Sequence, residues 1–329
     1  MAEIRRDPLT GDYIIVNDKR MNRPVVTNQD IITPECPFCA HSKKRHPGLP
    51  LEYEAIAIDN LYPSLVLRNE DNFSFDIFNE DEFSYSSTSN FGKCEVLLYS
   101  SDHELEFYDQ SQELTLKIMK LWQSRFEELS QNQKLKYIFI FESRGKAVGV
   151  TIHHPHGQLY ALPVIPPVVE RTLKRFNNYY RSYNRCLLCT ILENEQSDNI
   201  RIIDQNNYFI AFVPYFAKML YEVHVTSLIH KQAITDFNDN ELKSLGSILQ
   251  KVRKKYDLLF MDKKASFMMM LFNKPVNTPK NYNFHFYIQF VCLDRDEHNY
   301  KYRASVETGL QFWTNDSSPE KIAEEFKKL

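Results

Sequence analysis

Glycine is scarce, at 8 of 329 residues. Neither G-x-G-x-x-G nor G-x-x-x-x-G-K-[ST] occurs, which excludes the glycine-rich phosphate cradles of dinucleotide-binding and P-loop folds. No apolar run approaches the roughly eighteen residues that would suggest a membrane-spanning helix. The stretch Met1 to Arg20 lacks the apolar core of a signal peptide. A basic excess is missing too. Lys plus Arg number 40 against 43 for Asp plus Glu, a net charge of -3, leaving no footprint for nucleic acid or an anionic membrane. These absences predict a cytoplasmic protein with neither a membrane nor a nucleic-acid partner.

What is present is an ordinary globular composition, 43% hydrophobic and 25% charged, long enough for two domains. Six cysteines are too few for a disulfide framework at this length. Cys94 and Cys292 sit in apolar stretches and read as core residues. The other four form two Cys-x-x-Cys pairs, Cys36/Cys39 and Cys186/Cys189, a spacing that suggests metal or redox chemistry.

Hydrophobic periodicity places strands at Tyr13 to Val16, Glu54 to Ile58, Cys94 to Tyr99, Tyr137 to Phe141 and Leu159 to Leu162, with a helix from Gln112 to Leu129. Residues 69–90 read as an exposed polar excursion. The proline cluster from Pro163 to Pro167 marks a boundary. Beyond it the plan repeats: helix Val168 to Tyr180, strands Tyr208 to Val213 and Glu222 to Thr226, helix Asn240 to Asp257, then strands Ser266 to Phe272 and Phe284 to Val291. A final helix begins at Pro319, capped by Ser318.

Each Cys-x-x-Cys is followed by two histidines at comparable intervals, His103 and His154 in the first half, His230 and His285 in the second. In each half the first His follows a strand and its stop signal, and the second is expected within a strand after a helix. This predicts a duplicated plan with one Cys-Cys-His-His site per half. Two thiolates and two imidazoles suit tetrahedral, structural zinc. A single zinc ribbon is disfavoured, because its cysteine pairs usually lie about 15–20 residues apart and these are far more distant.

The segment His154-Pro155-His156-Gly157-Gln158 carries the most chemistry. In an extended strand alternate residues share a face, so His154, His156 and Gln158 are expected on one side. Zinc on one imidazole would anchor the strand and leave the next facing substrate. A neutral imidazole is a nucleophile toward phosphorus. A glutamine amide can donate to a developing phosphoryl charge without titrating.

Together with Arg5-Arg6-Asp7-Pro8-Leu9-Thr10-Gly11, Lys19-Arg20-Met21-Asn22-Arg23-Pro24 and Cys36-Pro37-Phe38-Cys39, this segment resembles the galactose-1-phosphate uridylyltransferases of the histidine-triad superfamily. The resemblance runs from Ile4 to the final helix. It implies an α+β fold of two tandem histidine-triad-like domains, each an antiparallel sheet with packed helices. Residues 1–167 would carry zinc and the catalytic histidine, and 168–329 a second Cys-x-x-Cys metal site. It also implies a homodimer and ping-pong transfer of a uridylyl group from UDP-glucose to a hexose 1-phosphate, galactose 1-phosphate.

By the motif match His156 is the nucleophile and Gln158 contacts the phosphoryl oxygens. Cys36, Cys39, His103 and His154 hold zinc, and the His154 carbonyl orients the His156 ring. Arg20 and Arg23 match phosphate-side arginines, and Asn60 a nucleoside contact. Ser143 and Thr151 stand at phosphate-donor positions, while Lys301, Tyr302 and Glu307 match the stretch that arranges hexose hydroxyls. The second site would follow the two-zinc branch through Cys186, Cys189, His230 and His285. An iron variant, held by a Glu and three His, is disfavoured, because Phe272 stands where one such histidine is expected and Tyr287 lies two residues beyond His285. His224 is a weaker substitute ligand, and His153 has no assigned role. The alternatives are a related nucleotidyl-histidine enzyme such as ADP-glucose phosphorylase, a histidine-triad hydrolase, and a catalytically silent zinc-stabilised binding protein.

Overall fold

The computed structural model describes residues 2–18, 36–74, 87–260, 263–280 and 282–329. A small antiparallel sheet near the N-terminus combines β1 (Ala2–Arg6), β2 (Tyr13–Asn17) and β4 (Ser87–Ser89) in the order β2-β1-β4. The large sheet begins with β3 (Glu54–Asp59), β5 (Lys93–Ser100), β6 (Tyr137–Arg144) and β7 (His156–Leu162). It continues with β8 (Ile202–Gln205), β9 (Phe209–Phe212), β10 (Val223–Ser227), β11 (Phe267–Phe272) and β12 (Tyr287–Cys292). Its order is β3-β5-β7-β6-β11-β12-β10-β9-β8, and every pairing is antiparallel.

The two halves meet where β6 pairs with β11, from Phe267 opposite Arg144 to Leu271 opposite Ile140. Each half thus contributes an antiparallel sheet to one continuous ladder. On one face lie α1 (Gln112–Ser130) and α4 (Asp239–Leu258). Ser111 caps α1 by accepting from the Leu114 amide, and Asn238 with Glu241 forms a capping box on α4. Leu114, Ile118, Trp122 and Phe126 of α1 share a core with Leu245, Leu249 and Val252 of α4 and with strand residues of both halves. The helices approach closely because Gly246 has no Cβ; one there would lie 2.4 Å from the Thr115 methyl. The other helices are α2 (Pro167–Tyr183), α3 (Leu187–Asp198), α5 (Ser305–Leu310) and α6 (Pro319–Lys328). Among the described residues, no helix is long and apolar enough to cross a membrane.

Period-two burial decides which side chains reach the other face. In β7, Gly157, Leu159 and Ala161 are buried, while His156, Gln158 and Tyr160 are half-buried. In β6, Ile138, Ile140 and Glu142 are buried and Phe139, Phe141 and Ser143 are not.

Two expectations need correction. His154 and His285 do not lie in strands: each sits two residues ahead of one, since β7 begins at His156 and β12 at Tyr287. Only His156 and Gln158 therefore alternate in a strand, and His154 turns off to the metal-ligand cluster. The stretch read as an exposed excursion also contains β4; Thr88 within it and Asn90 just after it are buried. Asn90 donates to the Ser64 carbonyl. Helices α3 and α5 escape the sequence reading, because α3 is short and begins inside the Cys-x-x-Cys.

Candidate active site and two metal-ligand clusters

The first cluster gathers Cys36, Cys39, His103 and His154, whose ligand atoms all lie within 4.8 Å of one another. Cys39 Sγ is 3.3 Å from His103 Nδ1 and 3.7 Å from His154 Nδ1. Tetrahedral zinc, with bonds of about 2.3 Å to sulfur and 2.0 Å to nitrogen, would set S···N at ~3.5 Å. The amide of Phe38 points at Cys36 Sγ from 3.4 Å, as it would toward a thiolate. His154 Nε2 is 2.7 Å from the Ser100 carbonyl. A carbonyl only accepts, so Nε2 carries the hydrogen and Nδ1 presents its lone pair to the cluster. The Tyr53 hydroxyl lies 3.1 Å from the same nitrogen and donates to the Phe38 carbonyl.

Burial pushes the His154 ring down to about 4, holding it in the neutral, ligating form. Burial also pushes the Cys36 thiol up to about 12; a dication in the cluster opposes that by favouring thiolate.

The second cluster repeats the design with Cys186, Cys189, His230 and His285, again within 4.8 Å. Cys189 Sγ is 3.4 Å from His285 Nδ1 and 3.6 Å from His230 Nδ1. His285 Nε2 is 3.0 Å from the Ser227 carbonyl. Both donor sets fit zinc. His224 is not among these ligands; its Nε2 is 2.9 Å from the Glu222 carboxylate. Phe272 and Tyr287 stack on each other at 4.7 Å.

At the head of β7, His156 Nδ1 is 2.7 Å from the His154 carbonyl. The same acceptor logic puts the hydrogen on Nδ1 and the lone pair of a neutral ring on Nε2. Phe38 packs against both rings, 5.4 Å from His156 and 5.8 Å from His154. Gln158, next on this face, is flanked by Val96 of β5 and Phe141 of β6. Carried two residues further, the β6–β7 register sets Ser143 opposite His156. Thr151 is half-buried in the segment leading to β7.

The remaining expected contacts are placed less directly. Arg20 and Arg23 lie outside the described residues. Asn60 follows β3 on the far side of β5; its Oδ1 accepts from the Tyr62 amide. Tyr302 is exposed. Glu307 is buried, and its carboxylate is engaged within its own segment. It accepts from the Ala304 amide and from the Thr314 amide and hydroxyl, with Lys301 Nζ 3.2 Å away. These contacts make Glu307 the organiser of the turn into α5.

Sequence reasoning passed over Phe38 and Tyr53 as site residues. Phe38 was visible inside Cys36-Pro37-Phe38-Cys39, but nothing around Tyr53 announces that its hydroxyl reaches His154.

Comparisons place this geometry among known proteins. Residues 1–166 match the family described as galactose-1-phosphate uridyl transferase, N-terminal domain, and residues 172–297 its C-terminal domain. A galactose-1-phosphate uridylyltransferase of Thermotoga maritima is 34% identical over 329 residues, covering 100% of this chain and 98% of the relative. An ADP-glucose phosphorylase of Arabidopsis thaliana is 25% identical over 303 residues, 88% of this chain and 84% of that one. A solved uridylyltransferase structure superposes with a TM-score of 0.82 at 27% identity, covering 99% of this chain and 97% of the other. The chain belongs to the galactose-1-phosphate uridylyltransferase family.

Proposed function

We propose that this protein transfers a uridylyl group from UDP-glucose to galactose 1-phosphate through a covalent uridylyl-His156 intermediate. The observation that carries the reading is the 2.7 Å contact from His156 Nδ1 to the His154 carbonyl, which directs the ring's lone pair to Nε2. In the first half-reaction Nε2 attacks the α-phosphorus of UDP-glucose. An N–P bond forms, the P–O bond to glucose 1-phosphate breaks, and that product leaves with the electron pair. The positive charge acquired by the ring is delocalised to Nδ1, where the His154 carbonyl dipole stabilises it. In the second half-reaction a phosphate oxygen of galactose 1-phosphate attacks the same phosphorus, and the N–P pair returns to Nε2. Gln158 donates its amide to the phosphoryl oxygens in both steps and does not titrate, so it offers an attacking water no general base. Ser143 and Thr151 add hydroxyl donors, Arg20 and Arg23 neutralise the diphosphate, and Asn60 meets the nucleoside. Lys301, Tyr302 and Glu307 belong to the hexose side.

Zinc is the metal proposed for both clusters, as a structural ion that fixes the Cys-x-x-Cys knuckles. In the first half it would be held by Cys36, Cys39, His103 and His154, the residue whose carbonyl orients the nucleophile. The working unit is proposed to be a homodimer, as the family resemblance implies, and its compartment the cytoplasm.

The test is intact mass, under mildly basic conditions, after incubation with UDP-glucose or ADP-glucose. A UMP adduct that His156→Ala abolishes and galactose 1-phosphate discharges is the expected result. An AMP adduct discharged by inorganic phosphate would replace this reading with ADP-glucose phosphorylase. No adduct from either, in zinc-loaded protein, would sink covalent catalysis by His156.

A further inference from the structure

The face of β7 opposite the site carries a buried polar column within a largely apolar core. Tyr99 of β5 is fully buried, and its hydroxyl donates to Glu142 Oε2 over 2.9 Å. Arg253 of α4 clamps the same carboxylate, with Nη1 2.7 Å from Oε1 and Nη2 2.9 Å from Oε2. The Arg253 guanidinium lies 3.9 Å from the centre of the Phe107 ring. The column ends against Gly157, the residue between His156 and Gln158. A Cβ at Gly157 would lie 2.5 Å from the Tyr99 hydroxyl and 3.3 Å from the Phe141 carbonyl.

A buried ion pair is not by itself a source of stability, because desolvating both charges consumes most of their attraction. The second half supplies an internal control. Counting from the metal-ligating histidines, Tyr287 and Gln289 of β12 take the places of His156 and Gln158, and Ile288 that of Gly157. Gly157 faces Leu97, and Ile288 faces Val225 and Leu271. Carrying the β6–β7 register one residue past its last pair makes Leu271 the counterpart of Glu142, and β10, Val-His-Val-Thr-Ser, has no tyrosine to stand for Tyr99. The half that has lost the imidazole has therefore also lost the column, and the corresponding space is filled by Leu271 and Ile288, both buried. The fold accepts an apolar strand there; only the half with the histidine keeps the polar one.

We propose that Tyr99, braced by Glu142 and Arg253, is a positioning residue that presses on the Gly157 backbone and sets the pleat from which His156 and Gln158 project. It touches no substrate. Its effect is on how closely Nε2 of His156 and the Gln158 amide are held to the reacting phosphorus, where a displacement of about 1 Å can cost on the order of a hundredfold in rate. This inference rests on the covalent role of His156 proposed above.

The test compares wild type, Tyr99→Phe, Gly157→Ala and the double variant. Single-turnover labelling by UDP-glucose, steady-state kcat and KM, and thermal midpoint are recorded, with kcat referred to sites counted by burst amplitude. Tyr99→Phe keeps the ring and is expected to slow labelling and kcat roughly tenfold with KM changed less than about threefold. Gly157→Ala is expected to lose on the order of a hundredfold in kcat. The double variant should recover most of that loss, because without the hydroxyl the nearest ring atom is 3.4 Å from the new Cβ. Rates per counted site equal to wild type in Tyr99→Phe, whatever its thermal midpoint, would overturn the proposal, as would a double variant no faster than Gly157→Ala. Should Gly157→Ala fail to fold, Tyr99→Phe alone decides. If wild type itself gives no label, the covalent reading fails instead, and that result is read before any variant.

Discussion

The carbonyl oxygen of His154 lies 2.7 Å from Nδ1 of His156, while the ring of His154 points the other way into the cysteine-histidine cluster. One residue thus ties a metal-ligand site to the tautomer of its neighbour. Its ring is fixed by the Ser100 carbonyl and its carbonyl fixes the next ring. Geometry at the nucleophile then depends on how well the cluster is held.

Tyr53 offers the mildest way to loosen it. Tyr53→Phe removes the hydroxyl that bridges the Phe38 carbonyl and His154 Nε2. Zinc affinity of the first cluster is expected to fall about 10–100-fold, in line with losses of outer partners at metal sites. Chelator competition, monitored by zinc release, checks this; unchanged retention would mean that Ser100 alone orients the ring.

The two clusters should differ in what they support. Cys39→Ser and Cys189→Ser are each expected to release one zinc per chain and to lose about 3 kcal/mol, or roughly 4 °C in thermal midpoint. Only Cys39→Ser removes a ligand from the cluster that contains His154, so it should slow labelling of His156 at least tenfold more than Cys189→Ser. Metal analysis with single-turnover rates measures both. Equal slowing by the two variants would contradict the assignment.

Gln158 should act mainly in the transition state. Gln158→Ala is expected to lower kcat by about 10²–10³ with KM for UDP-glucose little changed, the pattern of a lost phosphoryl-oxygen donor. Initial-rate kinetics in both half-reactions would show it. A rise in KM alone would place Gln158 in ground-state binding.

Glu307 gives a prediction in pH. The Ala304 amide, then the Thr314 hydroxyl and amide, hold its carboxyl down to about 2 from an ordinary 4.5. A carboxyl held down by the fold stabilises it above the unfolded value, and that contribution is lost as pH falls toward the folded value. Glu307→Gln should therefore show a lower urea midpoint than wild type by the same margin at pH 7 and pH 5.5, narrowing below about pH 4.5. A gap independent of pH down to 3.5 would mean that the amide loses packing rather than charge.

Much of this was legible beforehand because ligand chemistry leaves short marks. Two Cys-x-x-Cys pairs and four histidines named both clusters, and long amphipathic patterns placed α1 and α4. The position of His154 and His285 just outside their strands was not legible: alternation tells which residues share a face but not where a ladder starts. The turn contacts of Glu307 were hidden for a different reason. Nothing in the sequence marks a carboxylate that caps its own turn, and the Ala304 and Thr314 contacts emerge only in the fold. Tyr99, Glu142 and Arg253 come from three elements, so no local pattern could join them.

The seam between β6 and β11 has a consequence for how the chain can be divided. Severed within the proline-rich stretch around Pro166, each portion would bare a long row of unpaired backbone amides and carbonyls bordered by Phe139 and Phe141, or by Met268 and Met270. Such a border invites pairing with any compatible strand. The portions would clump when made alone and, when made together, find in each other the one neighbour whose register already fits. The duplicated plan is written as two sentences, but it folds as one.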